Sequence, residues 1–210
     1  PHARHEILVI SDSDVRLRPD YLKTIVAPLA DPRVGAVCTL YKAVAADRWF
    51  EKMELLSLNA DFLPNVVFAG MTGAARFCLG ASTALRRSML KEIGGLESLG
   101  DYLVEDYEMG RRIALADKRL VILPYCVETM VDLKSPGQWW DHQVYWDQNT
   151  RAAQPIGFFG IVLIRSVPFA AMFALLRGGD LLGLTVLATV LALRLAVAAG
   201  ELYAKLDSRL

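Results

Sequence analysis

The chain has 210 residues, 54% of them hydrophobic, and its 23 basic and 23 acidic side chains balance to no formal net charge. That length carries a real core and one domain or slightly more, and with no positive field and no basic stripe nothing argues for a nucleic-acid partner. Cys38, Cys78 and Cys126 are widely spaced in or beside apolar runs, which fits buried thiols on a reducing, cytosolic side better than a disulfide framework or a zinc site.

Pro1 to Glu6 has no signal-peptide pattern and leads straight into an apolar run. The chain has no initiating Met and opens on an acidic strand end, so earlier strand–helix units are expected to be missing and this piece alone to be inactive. Ile7 to Ile10 reads as a buried strand that stops on Ser11-Asp12-Ser13-Asp14. Two carboxylates one residue apart at the carboxyl end of a strand lie where open α/β sheets bind ligands. Such a pair suits a hard cation shared with the phosphates of a substrate. The bland reading is a turn, since Asp and Ser are common wherever strands end.

Pro19 is placed for the first turn of a helix whose apolar face is Tyr21, Leu22, Ile25, Val26 and Leu29, with Asp31-Pro32 as its stop. Val34 to Tyr41 then reads as a buried strand, and this β-α-β order predicts a largely parallel sheet. From about Ala46 to Phe62 the apolar residues follow helical spacing, a face for core packing or for a membrane surface. Pro64 is expected to end that helix, with Asn65 to Gly73 as a mobile connection.

Phe77 to Leu85 reads as a strand containing Gly80-Ala81-Ser82, small residues that would let a ligand approach the backbone, and Arg86-Arg87 follows. A short helix over Ser88 to Ile93, closed by Gly94-Gly95, precedes a second acidic site, Glu105-Asp106, at the start of a helix. The helix dipole alone accounts for acids there, yet a carboxylate at that point also suits a general base. Arg119 to Leu123 and Val127 to Val131 read as two short strands, and Ser135-Pro136 opens a helix to about Arg151. Its Gln138, His142, Tyr145 and Asn149 share one face with Trp146 beside them, as in an interface helix or a binding surface. Two apolar segments close the chain, Ile156 to Leu176 and Leu181 to Gly200, joined by Arg177-Gly178-Gly179-Asp180. Each approaches the ~20 residues that cross a bilayer, so a membrane hairpin is expected, although Arg165 and Arg194 leave room for a segment lying along the interface.

Four blocks in order, ISDSDVRLRPDYL, FCLGASTALRR, VEDYEMGRRI and HQVYW, resemble glycosyltransferases of the GT-A type. The closest likeness is to the ceramide glucosyltransferase-like branch (glycosyltransferase family 21/2), with bacterial hopanoid-associated glycosyltransferases as neighbours. The resemblance implies an α/β fold, a partial mixed Rossmann-like sheet with flanking helices, followed by C-terminal membrane helices. Residues 1–153 would be the C-terminal portion of the catalytic domain and 154–210 a membrane-associated hairpin.

By the same resemblance Asp12 and Asp14 hold a divalent Mg or Mn ion, and Asp106 is the catalytic base. Asp12 and the block His142, Tyr145 and Trp146 bind substrate by that resemblance, and the residue reading above adds Gly80, Ala81, Ser82 and Glu105 to them. The donor would be a nucleotide sugar, a UDP-sugar, and the acceptor a ceramide- or hopanoid-like lipid alcohol. The reaction would be inverting, with the catalytic part on the cytosolic face of a membrane. The last block departs from the family's Q/R-x-x-R-W, because His142 stands for Gln or Arg and Tyr145 for Arg. Two other readings are open: a haloacid-dehalogenase-like phosphatase, from the D-x-D after a strand and a later Gly100-Asp101 to Asp106, and a non-catalytic membrane interaction protein.

Overall fold

The computed structural model describes residues 3–205, and the side chains of 160–164 and 198–205 are not described. Pro1, His2 and residues 206–210, the outer ends of the two expected domains, lie outside the described residues. The chain forms two compact units, Pro1–His142 and Gln143–Leu210.

In the first unit, strand β1 (Ile7–Ser11) is followed by a short β2 (Val15–Arg16), helix α1 (Tyr21–Val26) and the long β3 (Val34–Val44). A helical arm comes next: α2 (Trp49–Ser57), a π-turn over Leu58–Phe62, and α3 (Leu63–Met71). The unit is completed by β4 (Ser82–Arg86), α4 (Arg87–Glu92), α5 (Glu105–Leu115) and β5 (Arg119–Met130). The sheet order is β1-β4-β3-β5-β2. Val34 to Tyr41 is buried throughout, which explains the unbroken apolar run, since a strand covered on both faces shows no alternation. Ile25, Val37, Cys38, Leu85 and Ile113 form the centre of the core.

The expected largely parallel sheet is not found. Only β3 and β5 run parallel; β4 lies antiparallel to both β1 and β3, and β2 antiparallel to β5. The β-α-β order took β1 and β3 as neighbours, but β4 is inserted between them. The two strands expected from Arg119 to Val131 are one strand. Its register against β3 jumps from Leu123 to Cys126, leaving Pro124 and Tyr125 as a bulge where a residue without an amide proton breaks the ladder.

β4 is also shorter than expected, five residues against eleven in β3. Phe77 to Ala81 has left the strand, and β3 pairs with β4 only over Ala36–Cys38. Further along β3, the Asn59 side chain takes the place of a strand neighbour. The Ala43 N–H donates to its Oδ1 at 2.8 Å and its amide donates back to the Ala43 carbonyl at 3.0 Å. The sheet is thus forked at this end.

The arm corrects a second expectation. Pro64 does not end the helix, and Asn65 to Met71 is helical rather than a mobile connection. Pro64 falls at the start of α3, directly after the wider π-turn has already displaced the hydrogen-bond ladder, so its missing donor interrupts nothing.

Helix α6 (Pro136–Ala153) runs from the first unit into the second, which continues with α7 (Pro155–Ile164), α8 (Ser166–Leu176) and α9 (Leu181–Lys205). Helices α8 and α9 form a hairpin, whose turn uses Gly178 and Gly179 at φ 67° and 74°. The first apolar segment is broken at Arg165 into helices of 10 and 11 residues, about 15 Å each against a hydrocarbon core of about 30 Å. Pro168 in the first turn of α8 suits a helix start there. The expected spanning hairpin is not met: among the described residues no helix is long and apolar enough to cross a membrane.

Candidate active site

The sequence Asp12-Ser13-Asp14 joins the two edge strands of the sheet, β1 and β2. Four residue steps from Ser11 to Val15 reach about 14 Å at most, whereas the edges of a flat five-stranded sheet lie about 19 Å apart. The sheet therefore curls at this end, and the acidic link crosses over the fork. The Asp12 N–H and the Ser11 hydroxyl both donate to the Ala81 carbonyl at 3.2 Å. Asp14 is fixed on the far side, where its carbonyl accepts from the Met130 N–H and its Oδ2 from the Thr129 hydroxyl, each at 3.2 Å.

Asp106 enters from α5, whose first turn holds Glu105, Asp106 and Glu108. The Tyr107 N–H donates to Asp106 Oδ1 at 2.7 Å, and the Gly80 N–H also donates to the carboxylate. Gly80 is so close that a Cβ there would lie 3.2 Å from Asp106 Oδ2. The Cys78 N–H donates to the Asp106 carbonyl at 3.3 Å. One turn along, Gly110 lies against the same loop: a Cβ would come within 2.4 Å of Phe77 Cα and Cys78 N. The loop therefore leaves β4 early because the start of α5 is seated in its place. Buried Glu108 secures the other side of this helix by accepting from Arg111 at 2.6 Å and Arg112 at 2.7 Å, and these guanidinium groups bring its carboxyl down to about 2.

The acids share one electrostatic corner. Desolvation raises the Asp12 carboxyl, and the charges of Asp14 and Glu105 raise it further. Asp106 is raised by its burial and then by Glu105, against the hydrogen bonds from Tyr107 and Gly80. Tyr41, near the end of β3, is pushed well above an ordinary phenol by burial and by both Asp106 and Asp12. Its ring lies on Phe62 of the π-turn, 5.1 Å between centroids. Tyr41 was missed by the sequence reading, which took it as core; a phenol ending an otherwise apolar strand was the available signal.

The other expected residues divide. Glu105 is exposed beside this corner and Gly80 lies against Asp106, whereas Ala81 and Ser82 are buried, with the Ser82 hydroxyl bonded to that of Tyr21. His142, the last residue of the first unit, has its Nδ1 2.8 Å from Glu54 Oε1. Tyr145 and Trp146 belong to the second unit, where their exposed rings meet edge to face at 6.2 Å. Among the described residues no group of three or more His, Cys, Asp or Glu is arranged to hold a metal ion. A cation that comes with its substrate would need fewer protein ligands. Asp12 and Asp14 would supply two carboxylates, phosphate oxygens and water the remaining places, and a divalent charge relieves the repulsion that Asp14 and Glu105 impose on Asp12.

A mixed sheet with an acidic crossover and a half-buried carboxylate at the start of α5 agrees with the comparison by sequence: the family model for glycosyl transferase family 21 matches residues 1–208. The chain belongs to glycosyl transferase family 21 and is a glycosyltransferase, which takes a sugar from a nucleotide-sugar donor to an acceptor.

Proposed function

We propose that the enzyme transfers a sugar from a UDP-sugar to a lipid alcohol, ceramide- or hopanoid-like, at a membrane surface and with inversion at the anomeric carbon. The observation that carries this reading is the position of Tyr41, whose hydroxyl feels both Asp12 and Asp106. Both carboxylates are near enough to this strand end to act on one hydroxyl, which supports a shared site. Asp12 and Asp14 would hold Mg or Mn with the donor diphosphate, and that cation, when bound, supplies Lewis-acid stabilisation of the leaving group.

Asp106 takes the proton of the acceptor hydroxyl as the oxygen attacks the anomeric carbon and the diphosphate departs. Burial favours this role: a carboxyl raised above its ordinary range is a stronger base. Gly80 supplies a close backbone approach and Glu105 the rim, while His142, Tyr145 and Trp146 are assigned to the substrates by the family resemblance alone. The hydrophobic second unit supports the lipid acceptor and a membrane location, and the free cysteines Cys38, Cys78 and Cys126 support its cytosolic face. Its hairpin exposes Leu175, Leu176 and Leu181 around the turn, a pattern suited to the interface.

The complete gene product, given a UDP-sugar and a lipid alcohol in vesicles, should form glycolipid with an inverted anomeric centre, read by NMR. Asp106→Asn should abolish transfer while the fold persists. Turnover unchanged by that substitution sinks the mechanism; hydrolysis of a phosphomonoester without sugar transfer would favour the phosphatase reading. Flotation with liposomes tests the location.

A further inference from the structure

Tyr41 is a polar side chain that the fold buries without giving it work to do. It is 8% exposed and its ring lies on Phe62, yet among the described residues no hydrogen bond reaches its hydroxyl. A buried tyrosine ordinarily finds a partner for that group. The oxygen is not one of the sealed interior atoms either, so it opens on a space that solvent or a ligand can fill.

The ladder between β3 and β4 shows where that space is. Had β4 kept its register beyond Cys38–Thr83, Gly80 would have paired with Tyr41. The chain instead turns at Gly80 and Ala81, the Asp106 carboxylate closes on Gly80, and the Asp12 N–H is tied to the Ala81 carbonyl. Tyr41 therefore lies beside the place where the strand partner gives way to the two acids, and both of them act on its hydroxyl. A phenol ordinarily titrates near pH ~10 and burial holds it higher still, so at any working pH this group is an O–H donor and not a base.

Three partners would enter such a space during sugar transfer. The attacking acceptor oxygen is a poor one, because a donor there occupies the lone pair that must form the new bond. The diphosphate is drawn to the cation that Asp12 and Asp14 would hold. The sugar between them remains, and its neutral hydroxyls suit a neutral phenol. We propose that the Tyr41 hydroxyl donates a hydrogen bond to one hydroxyl of the sugar being transferred and thereby selects the sugar. A site built around such a contact rejects a sugar that lacks the hydroxyl, because the protein group is then left unpaired. The proposal rests on the reading above in which Asp12 and Asp106 serve one reaction.

Tyr41→Phe removes the oxygen alone. In the complete gene product it should leave the melting temperature unchanged, since no protein partner is lost. It should lower kcat/KM about 2–10-fold, the worth of one neutral hydrogen bond, for the UDP-hexose that the wild type turns over fastest. The same assay is run with each monodeoxy analogue of that sugar. With one analogue the wild type should fall about 10-fold or more below the parent sugar, while Tyr41→Phe accepts the two almost equally; the remaining analogues should keep the same ratio in both enzymes. Ratios unchanged for every analogue overturn the assignment, as does a loss confined to KM for the lipid alcohol or a lowered melting temperature. A wild type that turns over no nucleotide sugar overturns both readings together, whereas an active wild type with unchanged ratios overturns only this one.

Discussion

Substituting Gly110 by Ala probes how closely the base is gauged against the crossover. A Cβ at this position would lie 2.4 Å from Cys78 N and Phe77 Cα and 2.5 Å from Phe77 C. Backbone atoms cannot rotate aside, so the helix and the loop must separate by about 1 Å to restore ordinary contact. Helix α5 moves as a rod, and Asp106 sits one turn from the wedge. A displacement of about 1 Å at a reacting group costs on the order of 100-fold in rate. Overpacking costs about 1–3 kcal/mol, offset by about 1 kcal/mol of helix propensity gained on replacing Gly, so the net loss of stability is about 0–2 kcal/mol. Sugar-transfer kinetics beside thermal melting make the measurement. Gly100→Ala is the control, since its Cβ would find nothing closer than 3.6 Å. Wild-type turnover in Gly110→Ala refutes the claim that this contact sets the position of Asp106.

Other substitutions separate charge from packing. An acid raised by folding binds protons more readily in the native state, so the Asp106 carboxylate weakens the fold as pH climbs from 3.8, its ordinary value, through its raised one. Asp106→Asn should therefore melt higher than wild type at pH 7, and the gap should shrink toward pH 4 while activity is absent throughout; a lower melting temperature at pH 7 contradicts this. Glu108 behaves oppositely. Its carboxyl is depressed to about 2, so its stabilisation is present above the ordinary value of 4.5 and fades as pH falls through about 2. Glu108→Gln should lose about 2 kcal/mol of unfolding free energy in urea at neutral pH, the scale of a charged hydrogen bond, and a loss that survives at pH 2 tells against the ion pairs. Asp12→Asn removes the group that Asp14 and Glu105 repel; melting should not fall, while transfer and its response to added Mg or Mn should vanish. Transfer that continues in chelator removes the cation from the reaction.

Residues whose constraints are local were legible in the sequence. The strand Ile7–Ser11 with its acidic end, the helix beginning at Glu105 and the Gly94-Gly95 stop after α4 follow from apolar runs, the helix dipole and the backbone freedom of glycine. The order of the sheet was not, because nothing in β4 announces that it inserts between β1 and β3. Pro64 reads as a stop only if the helix before it keeps a regular ladder, and the π-turn that makes room for it is tied to Asn59 reaching a strand sixteen positions back. The acids of the site could be named but their common corner could not. That corner depends on how far the sheet curls and on where loop 77–81 leaves β4.

The Asn59 latch has a spectroscopic consequence. The Ala43 amide proton is held by a side chain from the arm rather than by a neighbouring strand, so it exchanges with solvent deuterium only when that arm lifts. Adjacent amides in the parallel ladder with β5 answer instead to fraying of the sheet. One amide therefore reports, in the resting enzyme and without any label, how often the wall beside the acidic corner swings open.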